Sequence, residues 1–137
     1  MRVALYARVS TKDQNTLPMQ MKAMRSLARQ RNWTVVMAVK ETGSGASDRP
    51  ERESILDAAR RHHIDAVIVW KIDRWGRSLS DLVATLKELT ELGVSFVSVT
   101  EFFDLGTTTG KAMAGMLSVF SEFERDTHRR RNGSSPS

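Results

Sequence analysis

The sequence contains no cysteine, which excludes disulfide bonds, thiolate nucleophiles and zinc sites built from cysteine. Its three histidines, His62, His63 and His128, lack the spacing that is typical of metal ligands. The longest apolar run, Ala66 to Trp70, is far shorter than the roughly 20 residues that a membrane span needs. The N-terminus shows no signal-peptide pattern. We therefore expect a soluble, cytoplasmic protein with no membrane association.

Positive charge is in excess, with 21 lysines and arginines against 16 acidic residues and a net charge of +5. This balance favours a polyanionic partner such as DNA, RNA or an acidic surface. The alternative is a basic soluble protein without such a partner. With 137 residues and 40% apolar content, the chain can form one domain with a substantial core, but hardly two.

Hydrophobic periodicity predicts alternating strands and helices. The predicted strands are 2–8, 33–40, 64–70 and 94–100, and the predicted helices are 17–31, 50–62 and a third from Leu79 to a cap at Gly93. This order predicts an α/β fold with a mostly parallel sheet of four to five strands and helices on both faces. We assign this core to residues 1–108.

A further helix is predicted at 109–131, and it is nearly twice the usual length. Its apolar side consists of Met113, Met116, Leu117, Phe120 and Phe123. No later strand follows, so we expect this side to pack against a second copy of the chain in a homodimer or homotetramer. The alternative is that it covers the chain's own sheet. The small polar tail at 132–137 is expected to be disordered.

Several arginines follow the ends of predicted strands, namely Arg8, Arg49, Arg74 and Arg77. Because the carboxyl ends of parallel strands meet at one edge of a sheet, we expect three loops to bring these guanidinium groups together. Forked guanidinium donors match phosphate oxygens and stabilise the extra charge of a five-coordinate transition state. Each arginine taken alone is also compatible with an ordinary solvated position.

Ser10 lies two residues after Arg8, which places both side chains on one face of the first strand. It is the candidate nucleophile, and the alternative is a hydroxyl that caps a helix or a turn. No histidine is placed for Ser-His-Asp chemistry, and residues 43–45 lack the spacing of a phosphate-binding P-loop. Asp73 precedes Arg74, and its simplest role is to orient a guanidinium group.

Three segments resemble motif blocks of the resolvase/invertase serine recombinases. They are YARVST at 6–11, DR at 48–49 and KIDRWGRS at 71–78, in the order and spacing of the family. The resemblance extends from residue 1 to about Arg125. It implies site-specific DNA recombination, in which Ser10 attacks a backbone phosphate and forms a 5′-phosphoserine link that a 3′-hydroxyl later attacks. It also implies that no ATP, metal or other cofactor takes part.

The resemblance assigns roles to individual residues. Arg8, Arg49, Arg74 and Arg77 clamp the scissile phosphate, Asp73 orients them, and the other matched site positions are Gln14, Gln20 and Arg60. The helix at 109–131 matches the family's dimer helix, with Arg125 in a Glu-Arg pair. Arg125 and, beyond the packed region, Arg129, Arg130 and Arg131 are expected to contact the DNA backbone.

Two departures from the family pattern modify these expectations. Family members continue into a helix-turn-helix module that reads the recombination site, and the 137 residues do not include it. We therefore expect DNA binding with little sequence preference. The segment THRRR at 127–131 stands where the family usually carries a second Glu-Arg pair, so the state of assembly does not follow from the resemblance.

Two other functions remain open at this point. One is a catalytically silent module that binds DNA or dimerises and so regulates full-length relatives. The other is a flavodoxin-like regulatory domain whose arginines bind a small phosphorylated ligand. The presence of Ser10 with all four arginines disfavours the first. No acidic phosphoacceptor follows the first strand, which disfavours a receiver-like form of the second.

Overall fold

The computed structural model describes residues 1–43, 49–101, 104, 105, 107, 110–112, 114, 115, 117 and 119, without the side chains of Thr11 and Asp13. Its strands are β1 (Arg2–Val9), β2 (Thr34–Thr42), β3 (Ala66–Val69) and β4 (Ser95–Ser98). Its α-helices are α1 (Leu17–Gln30), α2 (Pro50–Arg60) and α3 (Leu79–Glu91). Two 3-10 helices, Thr11–Thr16 and Ile72–Arg74, follow β1 and β3.

The four strands form one sheet in the order β2-β1-β3-β4, and each neighbouring pair is parallel. This confirms the predicted α/β fold with a parallel sheet. All carboxyl ends lie at one edge, and β1 is flanked there by β2 and β3. The segments that follow Val9, Thr42 and Val69 are therefore neighbours at the edge where open parallel sheets bind ligands.

Helices cover both faces of the sheet, as the sequence predicts. On one face, Val3 and Leu5 of β1 pack in a cluster with residues of α1. On the other face, Ala4 and Tyr6 pack in a larger cluster with residues of α2 and α3. Because side chains alternate along a strand, Arg8 projects on the same side as Tyr6, toward α2 and α3.

Several element boundaries differ from the predicted ones. β2 continues past Lys40, because Glu41 and Thr42 pair in register with Arg8 and Val9 of β1. Both 3-10 helices lie in segments predicted as loops, since three residues per turn leave no amphipathic pattern in such short helices. α2 ends two residues before the predicted end, at a turn in which His62 has a left-handed φ of 59°.

The start of the predicted long helix is fixed close to the sheet. Leu105 donates its N–H to the Phe96 carbonyl in β4 at 2.8 Å. Thr107 then acts as an N-cap, because its Oγ1 accepts the Gly110 N–H at 2.9 Å. Residues 110–112, 114, 115, 117 and 119 are helical. None of the helices in the described part of the chain is long and apolar enough to cross a membrane.

Leu117 packs against the cluster that α2 and α3 form with the sheet, together with Ala114. At these two residues the apolar side of the helix therefore covers the chain's own core, which is the alternative to packing against a second copy. The place of Leu117 in a subunit interface stays a prediction. The other predicted interface residues lie outside the described residues, as does the tail at 132–137; they are Met113, Met116, Phe120 and Phe123.

Candidate active site

Arg8 links three segments at the carboxyl edge of the sheet. Its side chain is buried, and its Nη1 group donates a hydrogen bond to the Gly43 carbonyl, just beyond β2, at 2.7 Å. Its Nε group donates to the Arg74 carbonyl, beyond β3, at 3.3 Å. Backbone carbonyls orient a guanidinium group without neutralising its charge. Arg8 is therefore fixed in position while it remains a cation available to an anion.

Ser10 follows β1 directly and is partly exposed. Its backbone is extended, with φ of −75° and ψ of 166°, and it occupies the N-cap position of the 3-10 helix Thr11–Thr16. A serine at this position could cap the helix, which is the alternative to a nucleophile, but the Ser10 hydroxyl makes no capping hydrogen bond. The role of Ser10 as nucleophile stays a prediction that this geometry permits.

The two glutamines predicted for the site have different environments. Gln14 is exposed in the first 3-10 helix, whereas Gln20 is buried in α1. The Nε2 group of Gln20 donates to Thr16 Oγ1 at 3.1 Å. Among the described residues, the buried Oε1 atom of Gln20 has no hydrogen-bond partner. Contact of either glutamine with a substrate stays a prediction.

Arg49 occupies the N-cap position of α2 and is 3% exposed. Its Nη1 group donates a hydrogen bond to the Trp75 carbonyl, in the segment beyond β3. Burial lowers the pKa of Arg49 below its ordinary value, and the positive charge of Arg8 lowers this pKa further. The two guanidinium groups are thus close enough to repel each other, and an anion bound beside both would relieve that repulsion.

Trp75 anchors the segment that carries Arg74 and Arg77. Its ring is fully buried and packs edge-on against Tyr6, with ring centroids 5.3 Å apart. Its Nε1 group donates to Thr85 Oγ1 of α3 at 2.8 Å. With the ring fixed in the core, the flanking arginines are held at the edge of the sheet, Arg74 partly buried and Arg77 exposed.

In the described part of the chain, the carboxylate that contacts Arg77 is Asp81 of α3 and not Asp73. Asp81 Oδ2 accepts the Arg77 backbone N–H at 2.8 Å, and its Oδ1 lies 3.7 Å from Arg77 Nη2. Burial acts to raise the pKa of Asp81, but hydrogen bonds from Arg52 and Arg77 outweigh it and hold that pKa below its ordinary value. Asp73 is exposed, and its orienting role stays a prediction.

The structure does not bring Arg60 to this cluster. Arg60 ends α2, and a rise of 1.5 Å per residue puts it roughly 15 Å along the helix axis from Pro50. Its Nε and Nη2 groups donate to the two carboxylate oxygens of Glu88 in α3, at 2.7 and 3.0 Å. The hydrogen bond to Glu88 raises the pKa of Arg60. A catalytic role for Arg60 stays a prediction that this location does not favour.

Sequence reasoning does not identify three buried polar residues at this edge, which are Tyr6, Glu41 and Arg52. The Tyr6 hydroxyl donates to Glu41 Oε1 at 2.6 Å, and the Glu51 N–H donates to Glu41 Oε2 at 2.9 Å. Glu41 thereby joins β1 and β2 to the start of α2. Tyr6 shares a strand face with Arg8, and that periodicity could have identified it. Arg52 has no such signal, because a charged residue in a helical first turn is usually solvated.

The arginines predicted to contact the DNA backbone lie outside the described residues. They are Arg125, Arg129, Arg130 and Arg131.

Residues 3–134 match the family described as "Resolvase, N terminal domain". The chain belongs to this family, the resolvases of the serine recombinase class, which confirms the resemblance of the three motif blocks. The chain is 36% identical over 123 residues to the transposon Tn552 resolvase of Staphylococcus aureus, covering 88% of this chain and 58% of that protein. It is 34% identical over 121 residues to a DNA-invertase of Escherichia phage P1, covering 88% of this chain and 61% of that protein.

Two solved structures share the fold across nearly the whole chain. The N-terminal catalytic domain of TP901-1 integrase superposes with a TM-score of 0.83 at 30% identity, covering 93% of this chain and 98% of that one. A resolvase family site-specific recombinase from Streptococcus pneumoniae gives a TM-score of 0.85 at 26% identity, covering 98% and 95%. The chain spans about three fifths of the length of the two curated relatives named above.

Proposed function

We propose that the chain provides the catalytic centre of a site-specific DNA recombinase, with Ser10 as the nucleophile. The scissile phosphate is bound by the guanidinium groups of Arg8, Arg49, Arg74 and Arg77. The partners are DNA and further copies of the same chain, because strand exchange joins ends from different duplexes and requires at least two active sites.

The observation that carries this proposal is the pair of hydrogen bonds made by Arg8. They hold the segments beyond β2 and β3 against the segment that carries Ser10. Arg49 reaches the same segment beyond β3 through the Trp75 carbonyl. A preorganised set of cations beside a hydroxyl is the arrangement that stabilises charge on a phosphoryl group in its transition state.

The proposed reaction conserves the phosphate ester at each step. The Ser10 hydroxyl oxygen forms a bond to phosphorus, the bond from phosphorus to the 3′-oxygen breaks, and the hydroxyl proton ends on the departing 3′-oxygen. The products are a 5′-phosphoserine link and a free 3′-hydroxyl. Attack of an exchanged 3′-hydroxyl on the link reverses these bond changes, releases Ser10 and requires no ATP.

The test is covalent attachment to DNA. The chain, alone and fused to a DNA-binding module of known specificity, is incubated with supercoiled plasmid that carries paired sites for that module. We expect a DNA adduct that survives denaturant, and protease digestion followed by mass spectrometry should identify the modified peptide as the one containing Ser10.

Ser10→Ala should abolish the adduct, because it removes the attacking oxygen, and Ser26→Ala on the exposed face of α1 is the matched control. An adduct of undiminished yield in Ser10→Ala would assign the nucleophile to another residue. DNA binding without any adduct in the wild-type chain would favour the catalytically silent regulatory module instead.

A further inference from the structure

Arg52 is a buried arginine in the first turn of α2 that takes no direct part in the proposed phosphate clamp. It is 3% exposed, and its guanidinium group lies over the Trp75 ring, 5.6 Å from the centroid. Burying a charge is costly, and an apolar side chain of similar size would fill the same space at no such cost. The contacts of Arg52 indicate why an arginine is useful there.

The guanidinium group of Arg52 makes a forked contact with Asp81. Nη1 donates to Asp81 Oδ2, and Nη2 donates to Asp81 Oδ1 at 3.1 Å. The same carboxylate accepts the backbone N–H of Arg77 at 2.8 Å. Asp81 therefore lies between a buried arginine and an arginine of the proposed clamp, and the fork fixes the plane of its carboxylate.

The second contact of Arg52 is with the Trp75 carbonyl, to which Nη1 donates at 3.0 Å. This carbonyl also accepts the hydrogen bond from Arg49. Two guanidinium groups thus share one acceptor, although their charges repel. The position of the Trp75 carbonyl consequently determines where Arg49 lies, and Arg52 helps to determine the position of that carbonyl.

We propose that Arg52 is a positioning residue for the recombination reaction, and that it acts through Asp81 and the Trp75 carbonyl on the orientation of Arg77 and Arg49. The inference rests on the proposed function of this site. Arg52 itself does not touch the DNA. The competing explanation is purely structural, in which Arg52 only attaches α2 to α3.

The two explanations differ in the rate per folded molecule. Arg52→Met keeps the length of the side chain but removes the fork. We expect the rate of adduct formation at saturating DNA to fall on the order of tenfold to a hundredfold, the scale of misplaced catalytic groups. DNA affinity should change much less than this rate. Arg52→Lys keeps the charge but cannot make the fork and the carbonyl contact together, so it should restore the rate only in part.

The control is Arg61→Met, which changes an exposed arginine at the other end of α2 that pairs with Asp57 at 3.1 Å. It should leave the rate unchanged. Thermal unfolding and circular dichroism measure the folded fraction of every variant, so that each rate is expressed per folded molecule. If Arg52→Met does not fold, its place is taken by Asp81→Asn, which keeps the shape of the side chain but removes the charge that the fork binds. The proposal is overturned if the folded variant forms the adduct at the wild-type rate per folded molecule.

A second measurement needs no DNA and therefore separates this inference from the proposed function. The side-chain Nε–H resonances of Arg49 and Arg77 report the orientation of the two guanidinium groups in the free protein. We expect both to shift or broaden in Arg52→Met and Asp81→Asn and to stay unchanged in Arg61→Met. Unchanged resonances in the first two variants would overturn the inference. Absence of any wild-type adduct would reject the recombinase function, and these resonances would still decide whether Arg52 orients the two arginines.

Discussion

At the carboxyl edge of the sheet, Arg8 and Arg49 are buried and donate to backbone carbonyls, and burial together with the charge of Arg8 lowers the pKa of Arg49. At the amino edge, Arg60 is exposed and donates to both oxygens of Glu88, which raises its pKa. Its neighbours there have carboxylate partners as well, Arg2 with Asp65 at 3.2 Å and Arg61 with Asp57 at 3.1 Å.

One residue type thus serves two purposes on one domain. A carboxylate partner neutralises a guanidinium group, and such exposed pairs contribute little to stability. A carbonyl partner orients the guanidinium group and leaves its charge in place, so that neighbouring guanidinium groups repel each other and favour the binding of an anion. For Arg8, the two backbone carbonyls that accept its hydrogen bonds therefore support phosphate binding more strongly than its position near a strand end does.

The largest effect is expected from removing single arginines at the carboxyl edge. Arg8→Ala, Arg49→Ala, Arg74→Ala and Arg77→Ala should each slow adduct formation by roughly a hundredfold or more, the scale of losing one preorganised transition-state donor. The rate of adduct formation by Arg61→Ala, at the amino edge, should stay within about twofold of the wild-type rate, because this residue lies far from the arginine cluster. Loss of its exposed ion pair should lower the stability of the protein by under about 1 kcal/mol, so the variant stays folded. Single-turnover assays at saturating DNA provide both numbers. Equal effects at the two edges would contradict the comparison.

A smaller effect is expected from the Tyr6–Glu41 hydrogen bond beneath the arginine cluster. Tyr6→Phe removes the donor at 2.6 Å from a buried carboxylate, which should cost about 1–3 kcal/mol of unfolding free energy. Chemical denaturation at neutral pH measures the loss. Val69→Ala in β3 is a useful reference, because it trims the same core without changing a hydrogen bond.

Tyr6→Phe should also change how the stability of the protein depends on pH. Burial raises the pKa of Tyr6 above its ordinary value of 10.0, and the Glu41 hydrogen bond raises it further. The folded protein therefore keeps the proton more strongly than the unfolded chain, so this stabilisation is complete below pH 10 and declines as the pH rises above it. The stability of Tyr6→Phe should lack that alkaline decline. A parallel decline in both proteins would show that Tyr6 is not its source.

The order of the elements could be predicted from the sequence because strands and helices have distinct hydrophobic periods. The carboxyl-edge location of Arg8, Arg49 and Arg74 follows from that order alone. The sheet order β2-β1-β3-β4 does not, since periodicity contains no information on which strands pair. The extension of β2 to Thr42 could not be predicted from the sequence either, because Glu41 is polar. Its burial depends on hydrogen bonds from the Tyr6 hydroxyl and the Glu51 N–H, which the sequence pattern does not indicate.

The candidate site was predictable in its residue types but not in its supporting contacts. Arg8 and Arg74 meet through a backbone carbonyl, a contact that sequence spacing does not encode. Asp73 is next to Arg74 in sequence, yet among the described residues the carboxylate that accepts the Arg77 N–H comes from a separate helix as Asp81. The position of Arg60 at the far end of α2 likewise depends on the length of that helix and on Glu88 of α3.

The smallest effect on stability is expected from removing the Arg60–Glu88 pair. This change tests whether the arginines at the amino edge contribute as little as their exposed carboxylate pairs predict. Arg60→Gln should lower the unfolding free energy by roughly 0.2–1 kcal/mol, since the pair is largely exposed and screened by solvent. The hydrogen bond from Arg60 lowers the pKa of Glu88 below its ordinary value of 4.5. The stabilisation should therefore be complete above pH 4.5 and disappear as the pH falls through the lowered pKa, so wild type and variant should converge in acid. Glu88→Gln should reproduce both results.

The rate of adduct formation by Arg60→Gln decides whether Arg60 has the catalytic role that the family resemblance implies. A wild-type rate supports a structural role in the pair with Glu88. A loss of the size expected for Arg8→Ala would show that Arg60 acts in catalysis despite its distance from the cluster.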